Sequence, residues 1–559
     1  MPAFGRGRQP ALCCRTAPHR SISPMKPNWA FSLGELFDHR SSSGKPMTFH
    51  LSRPLDLDRD GRSTLDLPAL AALVRDSAGI LSKAGVKPGD RVVVYKANHF
   101  DCILLASAIA RIGAVAVMLS GLLGKEAAQS LIRRVEPAAV VTDAERIERA
   151  EITPAVFPGL EGKIFSLNGD SPHAQTYADL KAEPHLRPVP RRDDELLMLT
   201  HTSGTTGIPK LIIFPPATIQ KQMARLECRH FPPLTFRRND VVAMFTPYVH
   251  ARAFTWIYSV LTLSPATVLA MDDSSPEVVD RVFRQYRPTF MEALPIDYAA
   301  MAPLIRTGAN NPFANIRLFA GNFDAIRWPV IRRFLNASRH PFPLWRDGYG
   351  QSETGGMGMT VLSRRAANRP RDHKPGPRVV GRPMPGFVTL KIVDPTTFEP
   401  VERGRPGLVL AKTKARCAGY YGEPERWKEK LVGDWWNTGD IGILTPTGAL
   451  KIVDREVNYA SGIGYLEFED TLVDRLPEGS DVAILPREND VPLPIVATRD
   501  GRLDETDWSR ARTGLPELAD PVVITASDMP RTATGKIVRE ELRRTYLDTV
   551  ATPGTGRWT

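Results

Sequence analysis

From Leu67 to Ala84 apolar residues recur at the spacing of one helix face, and the turn cluster Gly85 to Asp90 feeds an apolar run from Arg91 to Tyr95. This pattern predicts a helix, a turn and a buried strand. The alternation returns as helix 101–112 with strand 114–119, helix 124–135 with strand 138–142, and helix 277–287 with strand 289–294. Strands separated by helices of this length imply parallel sheets covered on both faces. Past residue 376 the texture changes, because short apolar runs at 388–393, 407–411, 441–444 and 449–453 are separated by Gly/Pro turns. They predict a small antiparallel or barrel-like subdomain. The remainder mixes a helix at 466–475, strands near 482–485 and 494–498, and a basic end from Lys536 to Tyr546.

The longest apolar run, Cys102 to Leu119, is broken by Arg111, which makes it a buried helix followed by a strand rather than a membrane span. With 559 residues, 42% of them hydrophobic, the chain can bury large cores, and a disulfide scaffold or a disordered protein is excluded. The five cysteines are too scattered for a disulfide framework and fit a reducing cytoplasm. The net charge of +11 includes Arg6, Arg8, Arg15 and Arg20 of an acid-free opening segment, and the rest lacks long basic blocks. An ordinary solvated surface is the reading, with neither nucleic acid nor membrane as partner. Residues 1–24 lack the apolar stretch of a secretory signal and are set aside as disordered or as preceding a true start at Met25.

Chemistry concentrates in a few segments. An apolar strand ending at Thr200 runs into Thr202, Ser203, Gly204, Thr205, Thr206 and Gly207, then Lys210, before another apolar strand from Leu211 to Phe214. Glycines let backbone N–H groups turn toward one anion, hydroxyls add donors and a lysine adds a point charge, so such a loop suits phosphates. It is not a Walker A sequence, and a bland surface loop is the alternative. Further along stand Asp347-Gly348-Tyr349-Gly350-Gln351-Ser352-Glu353, Trp435-Trp436-Asn437-Thr438-Gly439-Asp440, Asp454-Arg455, and Thr534-Gly535-Lys536. Each taken alone is an ordinary turn or a solvated charge.

Together and in this order, these segments resemble the AMP-forming acyl and aryl adenylating superfamily of acyl-CoA synthetases, nonribosomal peptide adenylation domains and luciferases, over about residues 60 to 545. The resemblance implies an α/β fold. A large domain at 25–454 would hold two parallel αβα subdomains and the β-barrel-like one, followed by a small mobile α+β lid at 455–559. It implies ATP and Mg²⁺ as cofactors, a small carboxylic acid as substrate, and coenzyme A or the phosphopantetheine of an acyl carrier protein as acceptor. An amine, or nitrite as in ATP-dependent diazotases, is the alternative acceptor, and an inactive scaffold the alternative of another class. By resemblance Tyr349 stacks on adenine, with Asp347 as acceptor for its amino group. Ser352 touches the α-phosphate, Glu353 holds Mg²⁺, Asp440 takes the ribose hydroxyls, and Arg455 lies on ribose or phosphate. Lys536 would bridge two anions as pyrophosphate leaves, which is where a mobile cation lowers the barrier. His250 falls where relatives place a pocket histidine, Gly321 lies in the segment packed on adenine and substrate, and Gly462 matches the glycine beside a pantetheine arm.

The sequence also departs from that pattern. After Arg455 the hinge reads Glu456-Val457-Asn458, two residues short and without the usual lysine. Lys210 is followed by Leu211 rather than glycine, and the stretch from Pro486 to Leu515 is abbreviated. Gly355, Gly356 and Gly358 leave room in a pocket floor, which suits an aromatic or medium-chain acid. The stretches expected to face that pocket offer no obvious acid, which disfavours an amino-acid substrate.

Overall fold

The helix predicted first forms over Leu67–Lys83, where Pro68 suits the opening turn and the Asp66 carboxylate accepts the Ala69 N–H at 2.9 Å. In this computed structural model the described residues are 31–43, 45–183, 186–202, 208–306, 308, 310–369, 378–459, 463–477, 479–487, 490–532 and 535–548. An eight-stranded sheet runs in the order Gly419–Tyr420, Leu211–Phe214, Met198–His201, Val115–Ser120, Arg91–Lys96, Ala139–Thr142, Ile164–Ser166, Gln175–Thr176. Its strands pair in parallel except at the end built from Leu211–Phe214 and Gly419–Tyr420. A second sheet carries Thr48–Leu51, Thr267–Met271, Val241–Phe245, Phe290–Ala293, Leu318–Gly321 and Leu344–Gln351 in parallel. From Leu344–Gln351 it continues antiparallel through Gly355–Ser363 and Val379–Pro383 into Leu450–Arg455, Trp435–Leu444, Gly407–Thr413 and Val388–Val393.

Every residue of helix Asp101–Arg111 and of strand Val115–Ser120 is buried, and among the described residues no helix is long and apolar enough to cross a membrane. Arg111 is tolerated there because its guanidinium donates to Asp38 at 2.5 Å and to the carbonyls of Gly34 and Leu186. Where strand Arg91–Lys96 ends, the enclosed Lys96 ammonium lies 2.8 Å from Asp56 and 3.4 Å from Asp101, with His99 on Asp101 at 2.5 Å. Burial opposes the lysine's charge, yet Asp101, Asp143 and Asp56 hold its pKa above the usual value. The ammonium occupies the space between the carboxylates, so this trio is a structural hub rather than a metal cage.

The C-terminal part has its own sheet of Asp481–Arg487, Asp490–Thr498 and Val522–Thr525, flanked by helices Leu466–Arg475, Glu505–Arg512 and Arg539–Tyr546. It meets the body through charge. Arg378 clasps Asp470 with bonds of 2.7 and 2.9 Å, and Arg327 shares Asp481 with Arg531, the latter at 2.6 Å.

Candidate functional site

The carboxyl ends of the second sheet's parallel strands open into a cavity of about 1240 Å³, closed on its far side by residues from the antiparallel strands, from 455–458 and from 536–543. Crevices at strand carboxyl ends are where open α/β sheets bind ligands. Every site residue expected from the sequence and described in the structure lines this cavity, except Gly321. Ser203, Gly204, Thr205, Thr206, Gly207 and Gly462 lie outside the described residues.

Gly321 sits directly behind the site, because a Cβ there would run into Asp347 Oδ1 and Ile326. That Oδ1 is buried without a well-formed hydrogen bond, and burial pushes the Asp347 carboxyl up to about 7 against the pull of the nearby Trp345 indole. An enclosed acceptor whose hydrogen bonding is incomplete has room for a further donor. Gly350 is equally constrained, since a Cβ there would run into the Gly355 carbonyl at the bulge of the Leu344–Gln351 and Gly355–Ser363 hairpin.

Asp440 is held from two sides. Its Oδ1 accepts from Arg455 at 2.5 Å, and its Oδ2 from the Tyr349 hydroxyl at 2.7 Å and Gln351 Nε2 at 3.2 Å. Gln351 is fixed in turn by Trp436 Nε1 at 3.0 Å and by donating to the Thr438 carbonyl at 2.7 Å. Glu353 Oε1 accepts the Tyr420 hydroxyl at 2.8 Å, while the Cys417 N–H holds its carbonyl at 2.7 Å. The Lys210 ammonium lies 4.8 Å from the centre of the Tyr420 ring, and burial lowers its pKa despite Glu353 nearby. Thr202 closes the base of the glycine-rich loop, its N–H on the Lys210 carbonyl at 3.0 Å and its Oγ1 accepting the Lys210 N–H at 3.2 Å.

His250 caps helix Ala251–Leu263. Its Nδ1 accepts the Arg252 N–H at 3.1 Å, so Nε2 carries the proton and donates to Ser352 Oγ at 2.8 Å. Burial, with His201, Lys536 and Arg252 close by, drives its pKa down to about 3, which fixes the imidazole as neutral. Lys536 comes from the other side on a tight hairpin: Thr532 N–H donates to the Lys536 carbonyl at 2.8 Å and Lys536 N–H to Thr532 Oγ1 at 3.2 Å. Gly535, at φ +81°, brings that hairpin against Ile296 of the body.

A second set of residues went unread in the sequence. Glu292, almost fully enclosed, accepts from Arg252 at 2.8 Å on both oxygens, from Arg346 at 3.2 Å, and from Asn322. Arg252 also reaches Glu227 at 3.2 Å, and Glu227 lines the cavity. The expectation that no acid faces the pocket is therefore corrected. Glu227 lies beyond the recognisable motifs, on a helical segment interrupted by a π turn at Ile219–Met223, and spacing alone did not point it inward. A signal did exist for Glu292, a lone carboxylate inside the apolar strand Phe290-Met291-Glu292-Ala293. The glycine-lined floor stands as expected: Gly355, Gly356 and Gly358 line the cavity, while Met357 is buried away from it.

Comparison with known proteins matches residues 55–421 to the family described as AMP-binding enzyme. The 3-amino-2-hydroxy-4-methoxybenzoate diazotase of Streptomyces cremeus is 32% identical over 540 residues, covering 92% of this chain and 95% of its own. A feruloyl-CoA synthase of Amycolatopsis sp is 25% identical over 502 residues, covering 87% and 95%. Among solved structures, an amide bond synthetase of Marinactinospora thermotolerans superposes with a TM-score of 0.72 at 20% identity, covering 92% of this chain and 100% of its own.

Proposed function

This chain belongs to the AMP-binding enzyme family, and from that premise we propose that it joins an aromatic carboxylic acid to AMP from ATP, releasing pyrophosphate, and passes the activated group to an acceptor. One observation carries the reading. A single cavity gathers an enclosed acceptor at Asp347, a braced carboxylate at Asp440, a second carboxylate at Glu353 and the Lys536 ammonium. That is a donor and acceptor set suited to adenine, a vicinal diol and a triphosphate.

In this reading Asp347 accepts from the adenine amino group and Tyr349 lies along the base. Asp440 has oxygen capacity for the ribose hydroxyls beside Arg455. Glu353 fits a magnesium ion, because its Oε2 has no hydrogen-bond partner among the described residues and Mg²⁺ takes one or two carboxylates together with phosphate oxygens. The bound ion supplies charge neutralisation at the phosphates. Lys536 holds the attacking anion and the α-phosphate together as their repulsion rises. His250, kept neutral, orients the Ser352 hydroxyl rather than moving protons. Residues from Arg455 onward act as the movable lid, with the exposed Val457 at its pivot.

The acceptor divides the proposal. A thiol of coenzyme A or of a carrier protein suits the relation to feruloyl-CoA synthase. A second reading, diazotisation, is favoured by the 32% identical diazotase and by the hinge that lacks the usual lysine. There nitrite is the anion joined to AMP and a ring amine receives it. Pyrophosphate exchange into ATP, dependent on an added aryl acid or on nitrite, tests the first step. Mass spectrometry of products formed with coenzyme A, phosphopantetheinylated carrier, amine or nitrite identifies the second. No exchange with any of these would overturn the proposal in favour of an inactive scaffold.

A further inference from the structure

We infer that Glu227 is the specificity-determining residue of the acid pocket, selecting aromatic acids that carry a ring amino or hydroxyl group able to donate a hydrogen bond. The inference rests on the acid-activating reading above and names the class of acid.

The argument begins with the helix that carries it. Residues Pro216–Glu227 form one continuous helical segment interrupted by the π turn Ile219–Met223. Such turns carry one residue more than the α-helix allows and are frequent at functional sites. One extra residue rotates everything after it by about 100° around the axis. Here the rotation sets Met223 against Gly355, 3.1 Å from where a Cβ would stand, and directs Leu226 and Glu227 into the cavity. Around them Leu234, Phe236 and the bare glycine floor give apolar walls, and Thr255 and Ser259 add small polar groups. Glu227 and Arg252 thus stand beside apolar groups within the larger cavity.

The charges around them are unevenly committed. Glu292 receives bonds from Arg252, Arg346 and Asn322 on both oxygens and has no capacity left for a ligand. The Arg252 guanidinium is spent on Glu292, on Thr255 and on Glu227. Glu227 differs. Its carboxylate pairs with Arg252 at 3.2 Å, and its side chain keeps 27% of its surface open. Its backbone carbonyl is fixed by the Ser259 hydroxyl at 3.1 Å, so the side chain starts from an anchored position. An anchored, half-open carboxylate beside apolar groups accepts hydrogen bonds and offers none. It favours an N–H or O–H on the bound ring, rejects a methyl group of the same size, and repels a second carboxylate. A site that hydrogen-bonds a substrate donor discriminates far more strongly than one that only measures size.

The test is calorimetric titration of the full-length protein, with exchange measured in parallel. The ligands are 3- and 4-aminobenzoate and hydroxybenzoate, the methylbenzoates of equal shape, and isophthalate. The unaltered protein is expected to bind the amino or hydroxy acid roughly tenfold or more tightly than its methyl counterpart. Glu227→Ala should bring that ratio to within about twofold and raise affinity for isophthalate, because Arg252 then faces the cavity with one partner fewer. Glu227→Gln, which keeps an acceptor but not the charge, should fall between. A merely structural role would weaken all ligands alike and yield no gain for isophthalate. An amino-to-methyl ratio near one in the unaltered protein, or one unchanged in Glu227→Ala, overturns the inference. Selective binding without any acid- or nitrite-dependent exchange would instead sink the acid-activating reading and leave the pocket's preference standing.

Discussion

Replacing Lys536 by alanine should abolish most of the first half-reaction and little of the second. The side chain leaves a hairpin whose backbone bonds between Thr532 and residue 536 remain in place, so the lid is expected to fold as before. The ammonium faces the cavity that also holds Glu353 and Asp440, and it is near enough to His250 to depress the imidazole. At contact distance of about 4 Å and an effective dielectric near 20, one charge pair amounts to about 4 kcal/mol. Part of that attraction already exists in the ATP complex, and only the part gained as the second anion closes on phosphorus accelerates the step. About 3 kcal/mol remains, which corresponds to a loss on the order of 10²-fold. The assay is ATP–pyrophosphate exchange beside transfer from a synthetic adenylate to the acceptor identified by mass spectrometry. Lys536→Arg should recover only part of the loss, since a planar fork replaces a point charge. Exchange within threefold of the parent, or equal loss in both half-reactions, refutes the reasoning.

Three other perturbations follow from charges already described. Asp347→Asn removes a carboxyl whose folded pKa, about 7, stands above its unfolded value of 3.8, so the parent's stability relative to the variant is full below pH 4 and declines as the pH rises to 7. That displacement has a ceiling of ~4 kcal/mol, and partial opening to the cavity lowers it to ~1–2 kcal/mol. Melting temperatures from pH 5 to 8 should therefore diverge in favour of the variant and level off above 7.5, and a constant gap would count against it. His250→Asn should lower exchange about tenfold, the order of a lost positioning hydrogen bond, without changing the shape of the pH profile between 5 and 9, because the imidazole is already neutral there; loss of an acidic limb would contradict this. Lys96→Met strands Asp56, Asp101 and Asp143 and should cost about 3–5 kcal/mol in chemical denaturation, whereas a loss below about 1 kcal/mol would show the hub to be solvated.

The alternation of helices and apolar strands was legible because parallel strands are apolar on both faces and their boundaries carry turn residues. Helix Pro276–Tyr286 and strand Phe290–Ala293 fall within a residue or two of expectation for that reason. The wall carrying Asp347, Tyr349, Glu353, Asp440 and Lys536, to which the proposal assigns the nucleotide, was legible because these residues sit in compact segments of recognisable order. The wall carrying Glu227 was not. Glu227, Arg252, Glu292 and Arg346 come from four separate elements, and what unites them is pairing across space. The orientation of Glu227 depends in addition on a π turn, which leaves no period in the hydrophobic pattern. Similarly, that Val379–Pro383 carries the second sheet on into the antiparallel strands is a matter of pairing, not of any local run.

The paired bonds of Arg378 to Asp470, and the grip that Arg327 and Arg531 share on Asp481, add ionic attraction to the apolar contact that seats the lysine-bearing hairpin. Electrolyte weakens attraction across a partly wetted seam and leaves oily burial largely untouched. On the proposed role of Lys536, dissolved ions should act as a clutch: dilute buffer should hold the ammonium at the cavity longer, and brine should release it without disturbing the floor beneath.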